Sequence, residues 1–278
     1  MNMIPPWSDF VQNALAEDIG RGDITTNTFV PAGAEAEAVL VAKEDMVVCG
    51  LPVVREVFRQ IDERIRILPE ASDGAGVHAG NVICNIQGPA RGILTGERVA
   101  LNFFQNLSAV ASLTSQYVER VDGLDCRIVD TRKTTPGMRL LQKYAVRVGG
   151  GHNHRMGLDD GVLIKENHIA LAGSITNAVE SMRSALTHLH RVEVETETIA
   201  QVREALEAGA HIIMLDNMSL EMMREAVAIA GGKALLEASG NVNLDNVRDV
   251  AETGVDLVSI GALTHSAGNK DVSLLVRF

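Results

Sequence analysis

The strongest constraint on the fold is a pattern that repeats from Arg127 onward. A short aliphatic run ends in a polar residue, and a helical stretch follows it. The runs are RIVD, GVLIKE, RVEVE, HIIMLD, KALLEAS and LVSIG, and helical stretches begin near Gly137, Ser174, Ile199, Ser219 and Asn243. Such alternation forms βαβ units with a parallel sheet. Six units with a period of about 20 to 35 residues predict an α/β fold, an incomplete or modified (β/α) barrel. A doubly wound open sheet is the alternative, because periodicity alone does not separate the two.

The first hundred residues have a different, mixed pattern. They contain an amphipathic helical stretch at residues 7–17, alternating stretches at 36–48, 64–68 and 82–87, and a short helix at 53–60 that Pro52 starts. A long helical stretch follows from Leu94 to about Val121. We therefore expect an N-terminal α+β domain over residues 1–101, with residues 270–278 packing back onto it, and an α/β-barrel domain over residues 102–269.

A basic segment interrupts an otherwise acidic chain. Residues 130–168 hold seven Arg and Lys against four Asp and Glu, whereas the whole chain carries a net charge of −11 and has a pI near 5.2. A nucleic-acid-binding protein usually spreads basic charge over a broad face and has a high pI. The local excess of cations therefore indicates a small, highly charged anion as ligand, and nucleic acid is not an expected partner.

Sequence signals for export and membrane insertion are absent. The first residues, MNMIPPWSDFVQNALAEDIG, lack the basic and apolar regions of a signal peptide, and no apolar run approaches the ~20 residues that span a bilayer. Cys49, Cys84 and Cys126 form neither a paired disulfide framework nor a C-x-x-C motif. We expect a cytoplasmic protein with no membrane partner.

Polar residues stand at the carboxyl ends of all six predicted strands. In chain order they are Asp130-Thr131-Arg132-Lys133, Lys165-Glu166-Asn167-His168, Glu195, Asp216-Asn217, Ser239-Gly240-Asn241 and Gly261-Ala262. In a parallel α/β architecture the strand ends open onto one face, where ligands bind. We therefore expect cations and carboxylates that are distant in sequence to share one pocket.

The residue types at these strand ends suit specific ligands. Arginine grips a carboxylate through two parallel hydrogen bonds, and lysine supplies a compact point charge. Glu195 and Asp216 suit Mg²⁺, which binds one or two carboxylates together with water and substrate phosphates. The glycine-containing ends at residues 239–241 and 261–262 suit phosphate binding through backbone N–H groups. The His152-Asn153-His154 segment lacks a nearby third ligand, so zinc is the weaker interpretation.

Seven segments in a fixed order carry a family resemblance. They are DTRKTTPGMR, GGGHNHRMGL, DGVLIKENHI, VEVE, IMLDN, LEASGNV and SIGALTHS. With LAEDIGRGDITT near the start and GERVALNFFQ at residues 96–105, they extend over nearly the whole chain. This ordered set resembles quinolinate phosphoribosyltransferase, also called carboxylating nicotinate-nucleotide pyrophosphorylase. Glu166 and Asn241 stand where Asp and Gly are commoner in that family, and neither difference removes an expected ligand.

The resemblance implies a reaction in NAD biosynthesis and a set of site residues. Quinolinate and 5-phosphoribosyl 1-pyrophosphate would give nicotinate mononucleotide, pyrophosphate and CO2. The quinolinate pocket would use Arg132, His154, Arg155 and Lys165, beside Thr131 and Lys133. The donor would bind to Glu195 and Asp216, which also hold Mg²⁺, and its 5-phosphate to Ser239, Gly240, Asn241, Gly261 and Ala262. Lys133, Glu195 and Asp216 are the expected catalytic residues. Arg98 would reach in from a neighbouring subunit of a homodimer, or of a larger assembly of dimers.

Three alternatives share parts of this site. A related enzyme that uses nicotinate or another aromatic acid would need fewer cations for its acceptor, so the four cations expected in the pocket favour a dicarboxylate. The same fold also occurs in a branch of related proteins that is associated with molybdenum transport. A non-catalytic anion sensor would gain nothing from Glu195 and Asp216 beside its ligand unless a metal is bound.

Overall fold

The computed structural model of the chain describes residues 7–277. Its helices are α1 Ser8–Ile19, α2 Ile24–Phe29, α3 Leu51–Ile61, α4 Ala90–Arg120, α5 Arg139–Val148, α6 Glu166–Ala172, α7 Ile175–Ala185, α8 Ile199–Glu207, α9 Leu220–Ala230, α10 Val247–Ala251 and α11 Ala262–His265. Its strands are β1 Glu35–Ala42, β2 Met46–Val47, β3 Arg66–Pro69, β4 Gly76–Val77, β5 Val82–Pro89, β6 Arg127–Val129, β7 Val162–Ile164, β8 Val192–Thr196, β9 Ile212–Asp216, β10 Leu235–Ser239, β11 Leu257–Ser259 and β12 Val272–Arg277.

The described chain divides into two compact units. The first unit comprises the described residues up to Ser115, the segment Thr135–Gly150, and the residues from His265 onward. The second unit comprises Gln116–Thr134 and Gly151–Thr264. Each unit has its own sheet, so each is described separately.

The first unit is built on an antiparallel sheet with the strand order β12-β1-β5-β3. Exposed and more buried residues alternate along β1, as expected for a strand with one face on a core. Phe58 of α3 and Phe104 of α4 are fully buried within this unit. The start of α3 is fixed by Asp73, whose carboxylate accepts hydrogen bonds from the backbone N–H groups of Gly50 and Leu51.

The second unit is built on a six-stranded parallel sheet with the order β6-β11-β10-β9-β8-β7. Strands β7 to β11 are neighbours in chain order, and β6 lies beside β11. This is the order of a (β/α) barrel that is not closed between β6 and β7. At that gap His152 forms an isolated parallel bridge with Val129 of β6. The predicted incomplete barrel is confirmed.

The strand register brings polar residues to one edge of the parallel sheet. Ser239 of β10 pairs with Asp216 of β9 on one side and with Ser259 of β11 on the other. Helices α7, α8 and α9 each begin after a Ser or Thr whose side chain accepts a backbone hydrogen bond. Such caps satisfy N–H groups that the first turn of a helix leaves open. None of the described helices combines the length and apolar character needed to cross a membrane.

Candidate active site

Two carboxylates and a lysine meet at the ends of β7, β8 and β9. The Lys165 ammonium donates a hydrogen bond of 2.6 Å to Glu195 Oε2. Burial raises the pKa of Glu195, Lys165 opposes that shift, and the charge of Asp216 adds to it. The two acids therefore lie close enough to influence each other. A pair of adjacent carboxylates is the donor set that a divalent cation prefers.

A second group joins β9 to the segment after β10. Asn217 donates a hydrogen bond of 2.9 Å to Asp216 Oδ2 and accepts one of 2.9 Å from the Asn241 side chain. Gly240, between Ser239 and Asn241, has a positive φ of 94°. The structure thus brings the predicted phosphate segment next to a predicted metal ligand. Asn217 stands at a predicted strand end, but no sequence pattern indicates a role for it.

Two guanidinium groups form a cationic pair in the second unit. Arg155 is partly buried, and its Nη1 donates a hydrogen bond of 2.9 Å to the Gly161 carbonyl. Burial lowers the pKa of Arg155, and the nearby charge of Arg132 lowers it further. Glu193 opposes this shift, and a like charge near a partly buried guanidinium group favours an anionic ligand in this region.

Asp130 positions the segment that carries His154 and Arg155. Its carboxylate is fully buried and accepts hydrogen bonds from the Asn153 side chain at 2.6 Å and from the His154 backbone N–H at 2.9 Å. Asp130 is among the predicted strand-end residues, but the sequence indicates no role for it. Its position at the end of a buried strand was the available signal, but its partners lie more than 20 residues further along the chain.

Hydrogen bonds attach the segment from Thr131 to Lys133 to the residues that follow β11. The Lys133 backbone N–H donates to Thr131 Oγ1 at 3.0 Å, and the Thr264 hydroxyl donates to the Lys133 carbonyl at 2.7 Å. Thr264 also lies 3.2 Å from the Gly261 carbonyl. These bonds place the predicted catalytic lysine beside the predicted phosphate-binding residues Gly261 and Ala262. No sequence pattern singled out Thr264.

His154 points toward two buried glutamates. Its Nδ1 accepts a hydrogen bond of 2.7 Å from the Arg155 backbone N–H, so the hydrogen of the neutral ring is assigned to Nε2. Nε2 lies 3.1 Å from Glu193 Oε2 and 3.7 Å from Glu237 Oε1. One ligand atom from each of the three residues lies within 4.8 Å of the others, a spacing compatible with a metal ion. Because Nε2 carries a hydrogen, the cluster is better suited to a shared proton than to a metal.

A cavity of about 370 Å³ lies next to this cluster inside the second unit. Its lining includes His154, Arg155, Glu193 and Glu237. Glu193 and Glu195 are two residues apart on β8, so both side chains lie on the same face of the sheet. The predicted site residue Glu195 therefore stands at the strand end, and Glu193 lies one step deeper. Glu193 and Glu237 are not among the predicted site residues, although an acid inside a buried strand is an unusual feature.

Arg98 is the one predicted site residue outside the second unit. It lies on α4, in the part of that helix that belongs to the first unit. All the other predicted site residues lie in the second unit. The role of Arg98 across a subunit interface stays a prediction.

Comparison with known proteins identifies the family. Residues 110–275 match the model of the C-terminal domain of quinolinate phosphoribosyl transferase, and residues 23–108 match the model of its N-terminal domain. The chain is 44% identical over 259 residues to the probable nicotinate-nucleotide pyrophosphorylase [carboxylating] of Bacillus subtilis, which covers 93% of this chain and 89% of the relative. It is 41% identical over 285 residues to quinolinate phosphoribosyltransferase [decarboxylating] 2a of Nicotiana tabacum, covering 96% of this chain and 81% of the relative.

Solved structures agree with this match. NadC from Streptococcus pyogenes superposes with a TM-score of 0.96 at 40% identity, covering 100% of this chain and 99% of that one. The nicotinate-nucleotide pyrophosphorylase of Francisella tularensis superposes with a TM-score of 0.94 at 43% identity, covering 99% and 98% of the two chains. The family that the sequence motifs predicted is confirmed.

Proposed function

The chain belongs to the quinolinate phosphoribosyltransferase family, and from this premise we propose that it transfers a phosphoribosyl group to quinolinate with loss of CO2. The donor is 5-phosphoribosyl 1-pyrophosphate, and the products are nicotinate mononucleotide, pyrophosphate and CO2. The reaction is a pentosyl transfer in de novo NAD biosynthesis. One observation in the structure supports it most directly: paired guanidinium groups and paired carboxylates share one unit of a chain with a net charge of −11.

The acceptor half of the site is built from cations. Arg132 and Arg155 bind the two carboxylates of quinolinate, with Lys165 as a further cation and Thr131 at the same strand end. A dicarboxylate relieves the repulsion that lowers the pKa of Arg155. His154 lies at the base of this group, where its ring is held by the Arg155 backbone and by Glu193. A monocarboxylate such as nicotinate would leave part of this positive charge unmatched.

The donor half of the site is built from carboxylates and a glycine-containing segment. Glu195 and Asp216 would hold Mg²⁺ and the ribose, and the charge of a bound Mg²⁺ would stabilise the departing pyrophosphate. The two neighbouring carboxylates fit such an ion by charge, and the hydrogen bonds from Lys165 and Asn217 each engage one oxygen, Oε2 of Glu195 and Oδ2 of Asp216. The 5-phosphate binds to backbone N–H groups of two segments, which comprise Ser239, Gly240, Asn241, Gly261 and Ala262.

The chemistry requires alignment and charge stabilisation rather than a protein nucleophile. Loss of pyrophosphate from the ribose passes through a state with oxocarbenium character, as in other glycosyl transfers. The cations of the acceptor half hold the ring nitrogen of quinolinate in line with the ribose, and Lys133 stabilises the leaving anion. After ribosylation the carboxylate next to the ring nitrogen departs as CO2, and the electron pair of the broken C–C bond stays on C2, where the adjacent cationic nitrogen stabilises it until C2 takes up a proton from water. No further cofactor is needed for that step.

A mass-resolved assay tests the proposed reaction and its acceptor. The purified chain is incubated with 5-phosphoribosyl 1-pyrophosphate and Mg²⁺, with quinolinate in one reaction and nicotinate in another. Nicotinate mononucleotide from quinolinate alone, dependent on Mg²⁺, is the expected result. Product from nicotinate alone would overturn the acceptor assignment. Absence of product from both acceptors in a folded sample would favour the anion sensor.

The active unit in this proposal is a cytoplasmic homodimer or a larger assembly of dimers. The three cysteines of the chain are all free, as is usual in a reducing compartment.

Arg98 completes the acceptor pocket of the neighbouring subunit, so Arg98→Ala and Lys133→Ala would each inactivate the enzyme. Unfolding the two variants together and refolding them restores about a quarter of wild-type activity if sites are shared, because about half of the dimers are hybrids with one intact site. No recovery from a mixture that does form hybrids would show that Arg98 serves its own subunit or none.

A further inference from the structure

Two asparagines at neighbouring strand ends have an unusual backbone conformation. Asn217 follows β9 and Asn241 lies just after β10, and both have a φ of 54°. In the part of the chain that the structure describes, they are the non-glycine residues with positive φ. This left-handed conformation is strained for residues with a side chain and clusters at functional sites. The strained backbone indicates that the side chains of Asn217 and Asn241 have a function at the carboxyl ends of β9 and β10.

The Asn217 side chain joins two parts of the candidate site. Its Nδ2 donates to Asp216 Oδ2 at 2.9 Å, and its Oδ1 accepts from Asn241 Nδ2 at 2.9 Å. Its backbone N–H also donates to the Ser239 carbonyl at 2.9 Å. One residue therefore contacts the carboxylate at the end of β9 and both ends of the segment from Ser239 to Asn241.

The glycine between Ser239 and Asn241 leaves room for this bridge. Gly240 has a φ of 94°, and a Cβ atom at this position would overlap Oδ1 of Asn217 and lie 2.6 Å from its Cγ. Any side chain at residue 240 would therefore displace the Asn217 amide. The absence of a side chain at residue 240 is therefore required by the position of Asn217 as well as by a phosphate ligand.

We propose that Asn217 is a positioning residue that couples the Asp216 carboxylate to the phosphate-binding segment through Asn241. This inference rests on the proposed function, in which Asp216 serves the ribose and metal end of the donor and residues 239–241 serve its 5-phosphate. The ribose and the 5-phosphate belong to the same donor molecule, so a small displacement of either group of residues misaligns the reacting carbon. Asn217 holds the two groups in a fixed relative position before the donor arrives.

Asn241 has a specific part in this coupling. A glycine at residue 241 would adopt the left-handed conformation with less strain, but it would supply no amide to Asn217. Asn241 therefore has a strained backbone, but its side chain donates a hydrogen bond to Asn217 and so connects the phosphate-binding segment to Asp216. This makes Asn241→Gly the mildest test of the bridge, because it removes one hydrogen bond and relieves strain at the same time.

Variants at Asn217 separate the side-chain bridge from the backbone conformation. Asn217→Gly keeps the left-handed backbone and removes both side-chain bonds, whereas Asn217→Asp keeps the acceptor for Asn241 and replaces the donor with a negative charge facing Asp216. We expect Asn217→Gly to raise the KM for 5-phosphoribosyl 1-pyrophosphate about 10-fold, the effect of losing a hydrogen bond to a charged group. Asn217→Asp raises it further, and Asn241→Gly raises it about threefold.

The experiment measures binding as well as turnover in the full-length chain. Steady-state assays give the KM for donor and for quinolinate, and calorimetry gives the Kd of ribose 5-phosphate without Mg²⁺. The expected result is a parallel rise in the donor KM and the ribose 5-phosphate Kd, with the quinolinate KM within about twofold of wild type. Melting temperatures verify that each variant is folded, and Asn241→Gly remains informative if Asn217→Gly does not fold.

The results distinguish a failure of the coupling role of Asn217 from a failure of the proposed function. If the wild-type chain makes product and binds ribose 5-phosphate, and the variants match it or lose affinity for both substrates equally, the coupling role of Asn217 is overturned. If the wild-type chain makes no product from quinolinate, the proposed function fails instead. Weaker ribose 5-phosphate binding in the Asn217 variants would then still support the bridge.

Discussion

Glu56 in the first unit and Glu237 in the second are both almost fully buried, yet their carboxylates have opposite surroundings. Glu56 accepts hydrogen bonds of 2.7 to 2.8 Å from the side chains of Ser8, Arg59 and Gln60. The hydrogen bond from Arg59 is the largest of the effects that lower the pKa of Glu56 to about 2. Among the described residues, Oε1 of Glu237 has no hydrogen-bond partner, and burial is the main effect that raises the pKa of Glu237 to about 7.

The difference separates a structural acid from an acid in a functional region. A carboxylate whose oxygens are all engaged stabilises the fold and has no capacity left for a ligand. A buried carboxylate with an open oxygen costs stability, and such costs concentrate where a protein binds or reacts. The second unit also holds Glu193, whose Oε1 likewise has no hydrogen-bond partner among the described residues. The comparison predicts that the buried acid Glu56 serves stability in the first unit, whereas the buried acids Glu193 and Glu237 belong to the ligand-binding region of the second.

The largest expected effect is on turnover in the second unit. Lys133→Ala should lower kcat by about 100-fold to 1,000-fold, because the lysine stabilises charge that develops in the transition state. Arg132→Ala should instead raise the quinolinate KM about 10-fold to 100-fold, because it removes a carboxylate contact. Steady-state kinetics with both substrates measure the two effects.

Lys233→Ala is the matched control for these substitutions, since Lys233 is an exposed lysine of the same unit. It should leave kcat and both KM values unchanged. Near-wild-type kinetics in Lys133→Ala and Arg132→Ala would contradict their assigned roles and the conclusion that the second unit binds the substrates.

The next effect is a pH dependence of stability that arises from Glu237. Its pKa is about 7 in the folded protein and near 4.5 when unperturbed, so the folded state binds this proton more tightly. The contribution to the free energy of unfolding is complete below pH 4.5 and is lost as the pH rises through 7, by roughly 3 kcal/mol at most. Urea unfolding from about pH 5 to about pH 8 measures this slope.

Glu237→Gln, which cannot ionise, should flatten this slope and be more stable than wild type above pH 7. The matched variant Glu56→Gln should leave the slope in this range unchanged, since the folded pKa of Glu56 lies far below it. An unchanged slope in Glu237→Gln would show that Glu237 is not the acid responsible.

The smallest expected effect is on stability in the first unit. Arg59→Ala leaves Glu56 buried without its cation and should lower the free energy of unfolding by about 2 kcal/mol, with kcat unchanged. Arg64→Ala breaks an exposed pair with Asp62 in the same unit and should cost less than about 1 kcal/mol. Equal losses in the two variants, or a loss of activity in Arg59→Ala, would contradict a purely structural role for the Glu56 cluster.

Much of the fold and of the site's location followed from local sequence pattern. Strands β6 to β11 and the polar residues at their ends were predictable, because alternation of short apolar runs with helices is visible within each 20 to 35 residues. The helix bounds were less exact: α4 begins at Ala90, four residues before the predicted Leu94. The seven-residue helix α6, which begins directly after Lys165, was not predicted, since it is too short to show a periodic pattern.

The contacts that organise the site were not predictable from the sequence. The left-handed backbone of Asn217 and its bond to Asn241, 24 residues away, depend on the pairing of β9 with β10. The orientation of the His154 side chain depends on Glu193 of β8, and the position of its backbone depends on Asp130, which directly follows β6. Motif order identified the family, whereas only the three-dimensional arrangement shows which acids are engaged and which are open.

The most direct test of the account follows a label through the reaction. Quinolinate carrying ¹³C in the carboxyl group next to the ring nitrogen is incubated with the wild-type chain, 5-phosphoribosyl 1-pyrophosphate and Mg²⁺. We expect equal amounts of ¹³CO2 and unlabelled nicotinate mononucleotide, and no ¹³CO2 when the donor is omitted. Label retained in the nucleotide product, or ¹³CO2 released without the donor, would contradict phosphoribosyl transfer followed by decarboxylation.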